Sequence, residues 1–210
     1  MLQTYDKKIE EISEMYKQAN NLVVLFETYN KVGNLSFVYQ LKDAHSHLMD
    51  AIDADIKLKS EENQEERKEL QDSIAGELEG CRKHLFRLIF DAGEALIILL
   101  LNHFIKIFDR YPKFLISEIY PNMNEDTRPR YLSFLSQLSE FKNLKAVTSK
   151  KELSDKVYKL AIDVEKFVNE GLEKNNGYKW RALWKSLLWL ATVFASGVAG
   201  ALVTELLQSL

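Results

Sequence analysis

Four histidines, His45, His47, His84 and His103, are the only imidazoles available for proton transfer or metal ligation. His45 and His47 stand two apart, so on a helix they point to different faces and cannot share an ion. No His-Glu-x-x-His pair occurs, and Cys81 is the single cysteine, which excludes a cysteine-cluster zinc site and an intramolecular disulfide. The chain also has neither of the glycine-rich phosphate loops, Gly-x-x-x-x-Gly-Lys-Ser/Thr and Gly-x-Gly-x-x-Gly, and no local signature of Ser/His/Asp catalysis. The expectation is therefore no metal and no other cofactor. Histidines beside cations remain, in LKDAHSHLMDAI (Leu41 to Ile52) and CRKHLFRLIFDAGEAL (Cys81 to Leu96).

The elements that carry these segments read as helices. Gly 8 and Pro 3 in 210 residues are far below average usage, which excludes turn-rich all-β and linker-rich designs and leaves an all-α fold. Apolar positions Ile9, Ile12, Tyr16, Ala19, Val23, Phe26 and Val32 predict a first helix from Met1 to about Lys31. A second is predicted from Leu35 to about Lys59. The third starts at Ser60, a plausible cap ahead of a Glu-rich first turn, and continues to about Phe108. Its ALIILLL stretch, Ala95 to Leu101, is too short to cross a bilayer between Glu94 and Lys106 and reads as the centre of a core. Gly76, Gly80 and Gly93 mark a kink or close helix contacts. Tyr111 to Arg130 holds all the prolines and reads as a loop with one short helical turn. Two further helices are expected at about Arg130–Val147 and Ser149–Glu173, with Asn175 to Gly177 as a hinge. The Glu-rich run from Glu61 to Glu79 reads as a solvated helix face, and Lys142, Lys145, Lys150 and Lys151 as a modest basic surface cluster.

The two histidine-bearing segments resemble the paired central helices of HEPN domains (higher eukaryotes and prokaryotes nucleotide-binding). There an Arg-Asn-Ala-Leu-Asp-His type motif on one helix faces a His-Leu-x-Arg-Ala-x-x-Asp-Ala type motif on the next. The matching positions are Lys42, Asp43, Ala44 and His47, then His84, Leu85, Arg87, Asp91 and Ala92, within about 60 residues of an all-helical body. The resemblance implies a HEPN-like helical bundle with long central helices. HEPN ribonucleases use an Arg, four to six residues, then His, and no Arg here has a His at that spacing. Lys42-x4-His47 keeps a cation and an imidazole but lacks the planar bidentate fork. The resemblance thus implies a degenerate, more often non-catalytic scaffold, with Lys42, His47 and Arg87 as the residues of a ribonuclease if one exists.

The C-terminal segment is a separate object. The net charge of −3 divides into +2 for residues 178–210 and −5 for residues 1–177. Ser186 to Thr204 is uncharged over its whole length, which as a helix is roughly 28 Å, close to bilayer hydrocarbon thickness. Lys179, Arg181 and Lys185 precede it, with Trp180, Trp184 and Trp189 at headgroup level, so the positive-inside preference places the body in the cytoplasm. The expected layout is a cytoplasmic domain, 1–177, on a single-pass inner-membrane anchor, 178–210, inserted from the C-terminal end because Met1 to Asn20 has no apolar core of a signal peptide. Ala191, Ala195 and Ala199 repeat every fourth residue, and Ser196 and Gly200 do so one step around; small residues at this spacing let spans pack closely. The alternative is a buried, apolar C-terminal core helix.

HEPN-like domains recur in prokaryotic antiviral and toxin systems, and at least one CRISPR accessory family joins such a body to a membrane segment and forms a pore. The layout here is similar. It implies a homo-oligomeric defence effector that permeabilises or depolarises the bilayer when a partner, RNA-guided or otherwise, signals infection. A membrane-anchored ribonuclease acting on nucleic acid and a passive membrane scaffold are the alternatives.

Overall fold

The computed structural model describes residues 5–109, 116, 120, 122–144, 150–174, 177 and 184. Among these the fold is all-helical, with no strand. α1 spans Asp6–Asn30, α2 Leu35–Ser60 and α3 Gln64–Asp109. α4, Arg128–Leu144, follows a short π-helical turn, Met123–Thr127, and α5 comprises the helical residues 150–174.

The boundaries follow from local chemistry. Asn34 caps α2 by accepting from the Ser36 N–H at 2.9 Å. α1 ends on Lys31 in the left-handed region, φ 59°, with its N–H bonded to the Glu27 carbonyl at 2.8 Å. Ser60 does not cap α3. It closes α2 by donating to the Lys57 carbonyl, and Asn63 takes the cap, accepting from the Glu65 N–H at 3.0 Å. Three residues, Glu61 to Asn63, therefore turn the chain, and α3 starts four residues after the expected Ser60 boundary. α3 is then unbroken for 46 residues; Gly80 and Gly93 mark close contacts, while a Cβ at Gly76 would meet nothing within 4 Å. α4 begins two residues earlier than its pattern, and Pro129 follows directly on the π-helical turn, whose last bond runs from the Arg128 N–H to the Met123 carbonyl.

Side-chain pairs fix the topology. α2 folds back antiparallel on α3, with His47 beside Glu77 and Gln40 beside His84. α1 runs parallel to α5, through Gln18 to Asp155, Asn21 to Tyr158 and Tyr29 to Asn169. Burial pushes the Tyr29 phenol above its ordinary value, although its bond to Asn169 works the other way. α4 is antiparallel to its neighbours: Arg130 reaches Glu170 near one end and Lys142 pairs with Glu94 near the other. α3 is the central helix, and it buries Leu85, Leu88, Ile89, Leu96, Ile97 and Leu100 completely. Two glycines let α3 and α5 approach closely: a Cβ at Gly93 would lie 2.6 Å from Val157 Cγ1, and one at Gly171 2.6 Å from Phe104 Cε2.

By length and composition the stretch Gln64–Lys106 of α3 could cross a membrane, and no other helix among the described residues passes that test. More than half of its most apolar window is buried inside the bundle, as in the core helix of a globular domain. The expected span from Ser186 to Thr204, including Ala191, Ala195, Ser196, Ala199 and Gly200, lies outside the described residues, as do Lys179, Trp180, Arg181, Lys185 and Trp189. Trp184 is described, and it is exposed.

Candidate functional site: a stacked histidine pair beside a basic cleft

The antiparallel α2–α3 hairpin brings together two of the four histidines. The rings of His47 and His84 stack with centroids 5.2 Å apart and an interplanar angle of 29°. Gly80 makes the room. A Cβ at that position would lie 2.9 Å from His47 Cε1 and Nδ1, so no larger residue leaves the imidazole against α3.

Each ring is held by its Nδ1. His47 Nδ1 is 2.6 Å from Glu77 Oε2, and His84 Nδ1 is 2.9 Å from Gln40 Oε1, with Asp43 Oδ2 at 3.9 Å. Both close partners are oxygen acceptors, so in the neutral rings the proton sits on Nδ1 and Nε2 carries the lone pair. Neither Nε2 has a hydrogen-bond partner among the described residues. This is the arrangement in which a carboxylate or amide orients a histidine for proton transfer. It serves equally as a satisfied structural pair, and at 35% side-chain exposure His47 is not sealed from water.

A cleft of about 350 Å³ opens beside His84, lined also by Lys83, Phe86, Arg87 and Lys150. Arg82 is not part of it: its guanidinium is taken by Glu79 at 2.9 Å and Glu11 at 3.4 Å. The Arg82 hydrogen bonds hold the Glu79 carboxyl below the usual carboxylate range, with Lys150 and Lys83 adding to the effect through charge. Lys83, Arg87 and Lys150 make no ion pair with a carboxylate among the described residues. Their charge is left to face solvent in the cleft.

The structure divides the sequence-derived candidates. His47 and His84 meet, and Arg87 shares the cleft with His84. Lys42 does not join them: five residues from His47 is about 140° around α2, which turns it to the outer face. Sequence reading missed Glu77, which belongs to a run taken as a solvated face, and Gln40, whose position one turn from Asp43 and Ala44 was the available signal. Of the basic cluster, Lys142 pairs with Glu94 at 2.6 Å and Lys150 lines the cleft, while Lys145 lies outside the described residues.

Cys81 is buried between these groups, and burial pushes its thiol up to about 11, so it is no nucleophile at neutral pH. No group of three or more metal-ligating side chains occurs among the described residues. Comparison with known proteins returns no match: no family model fits the chain, and no curated protein or solved structure matches it.

Proposed function

We propose that this chain is a membrane-anchored, self-associating effector of the HEPN-like kind, acting in prokaryotic defence by permeabilising or depolarising the bilayer once a partner signals infection. The observation that carries the reading is the uncharged Ser186 to Thr204 segment behind its basic and tryptophan-rich entry. The small-residue repeat on Ala191, Ala195 and Ala199 gives spans a face on which to pack. Lys42 and His47 stand on different faces of α2, which separates the one cation–imidazole pair that the sequence offered for catalysis.

The test uses the full chain expressed in bacteria. It stays with membranes through a carbonate wash, Val198→Asp releases it, and in liposomes it causes dye leakage that Ala195→Leu or Gly200→Leu suppresses. Release of the unmodified chain by the wash overturns the membrane reading; retention with sealed liposomes reduces it to a scaffold.

The basic cleft favours one second reading, a ribonuclease. Arg87, Lys83 and Lys150 would hold a phosphodiester while His84 and His47 move protons through Nε2. RNA cleavage by the full chain, abolished in both His47→Ala and His84→Ala, is its signature; cleavage that survives both substitutions removes it.

A further inference from the structure

Elsewhere on this body cations find carboxylates: Lys59 pairs with Asp55, Lys142 with Glu94 and Lys156 with Glu152. The cleft beside His84 breaks that pattern. Lys83 and Arg87 stand one turn apart on α3, a spacing at which like charges destabilise a helix, and α5 brings the half-buried Lys150 up to them. The carboxylate that feels the charge of Lys150 and Lys83 is Glu79, and both of its oxygens are already bonded by Arg82. Three cations and an imidazole thus share about 350 Å³ with no carboxylate among the described lining residues, on a body whose net charge is −5.

We propose that this cleft binds the terminal phosphate of a small phosphomonoester. Its volume lies at the lower end of the range for small-molecule sites, which suits a compact ligand. A phosphomonoester carries a charge of about −1.5 to −2 near neutral pH and three strong acceptor oxygens, the complement of two ammonium groups and a guanidinium fork. A phosphodiester, with one charge and two free oxygens, offsets fewer of these cations. His84 adds to the distinction. Its Nδ1 is turned to Gln40, so Nε2 is the free nitrogen, and a phosphomonoester, whose second proton leaves at about pH 6, is the phosphate that can share a proton with it. The surroundings argue against a nucleic-acid strand, which is tracked by a groove of cations along its backbone. Along α3 Glu77 and Glu79 precede the cleft and Asp91 and Glu94 follow it, and Asp43 of α2 comes within 3.9 Å of His84. The basic patch is an island among carboxylates.

This site goes beyond both functional readings, since it needs neither an inserted span nor RNA cleavage. The test titrates the full chain, in mild detergent at fixed ionic strength, with phenyl phosphate, inorganic phosphate and dimethyl phosphate by isothermal calorimetry. Phenyl phosphate should bind about tenfold or more tightly than dimethyl phosphate, and Arg87→Gln and Lys150→Gln should each weaken it about tenfold. Lys156→Gln removes an exposed charge from the same helix as Lys150 and should leave binding unchanged. Unchanged circular dichroism shows that the variants fold. Micelles doped with phosphatidic acid or with phosphatidylglycerol separate the sources of the phosphate: preferential uptake of phosphatidic acid assigns a lipid headgroup, and phenyl phosphate binding without that preference assigns a soluble ligand. No saturable binding of either monoester in the millimolar range, equal binding of dimethyl phosphate, or binding indifferent to Arg87→Gln and Lys150→Gln overturns the site. RNA cleavage by a chain that binds no monoester keeps the ribonuclease reading and ends this one; monoester binding by a chain that cleaves no RNA does the reverse.

Discussion

Toward Asp109, α3 buries Leu96, Ile97, Leu100 and Phe104 to 2% exposure or less, with Phe104 set against Tyr120 and Phe167. Toward Gln64 the same helix still buries Ile74, Leu78 and Leu85 but adds polar contacts beside them: the Glu77 carboxylate on His47, and Arg82 on Glu79 and Glu11, all between 19% and 35% exposed. One continuous helix thus has a dry end, where apolar burial supplies the stability, and a wet end, where oriented charges and imidazoles collect. Burial of apolar area stabilises far more per residue than exposed ion pairs do, so at the wet end it is Ile74, Leu78 and Leu85, and not the polar groups, that hold the bundle together.

The comparison is open to a direct attack. Phe104→Ala removes a fully buried ring from the dry end and should cost about 3–5 kcal/mol in denaturant unfolding. His84→Ala at the wet end should cost about 1 kcal/mol or less. Equal losses would break the distinction. The two close glycines on α3, Gly93 and Gly80, sharpen it at smaller amplitude. Gly93→Ala forces its Cβ onto the stiff Val157 side chain, at 2.6 Å, for a net cost of about 1–2 kcal/mol after the gain in helix propensity. Gly80→Ala meets only a half-exposed imidazole that can swing out, so it should be nearly neutral in stability yet break the His47–Glu77 bond, visible in the His47 ring resonances.

The smallest effect is in pH dependence. Glu79 titrates below its ordinary value of 4.5, chiefly because of the hydrogen bonds from Arg82. A depressed carboxylate contributes stability that is present above its unfolded pKa and is lost as pH falls through the folded one. Arg82→Gln should therefore flatten the fall in stability between roughly pH 5 and 3, by less than about 1 kcal/mol for a pair this exposed. An unchanged acid profile would show that the Arg82–Glu79 pair contributes nothing to stability.

The long helices were legible because their apolar residues recur with the helical period over many turns. The Ser60 cap was not, since Ser60 and Asn63 are both good cap residues and only the backbone turn at Glu61 to Asn63 decides between them. Phe104 and Gly93 could be placed on a core helix, but their contacts with α5 depend on which helices lie side by side, which periodicity does not encode. The histidine pair was half legible: the two motifs pointed to facing helices, while the partners Glu77 and Gln40 were hidden among ordinary surface polar residues.

The unbroken α3 has a mechanical consequence. A helix of 46 residues is about 69 Å long, more than twice the thickness of the hydrocarbon layer. Such a rod acts as a lever: a tilt of about 5° at His84, about 38 Å from Asp109, carries that far tip roughly 3 Å. Because Gly80 and Gly93 leave it continuous, a load applied where α2 is gripped is delivered at the opposite end without loss in a hinge.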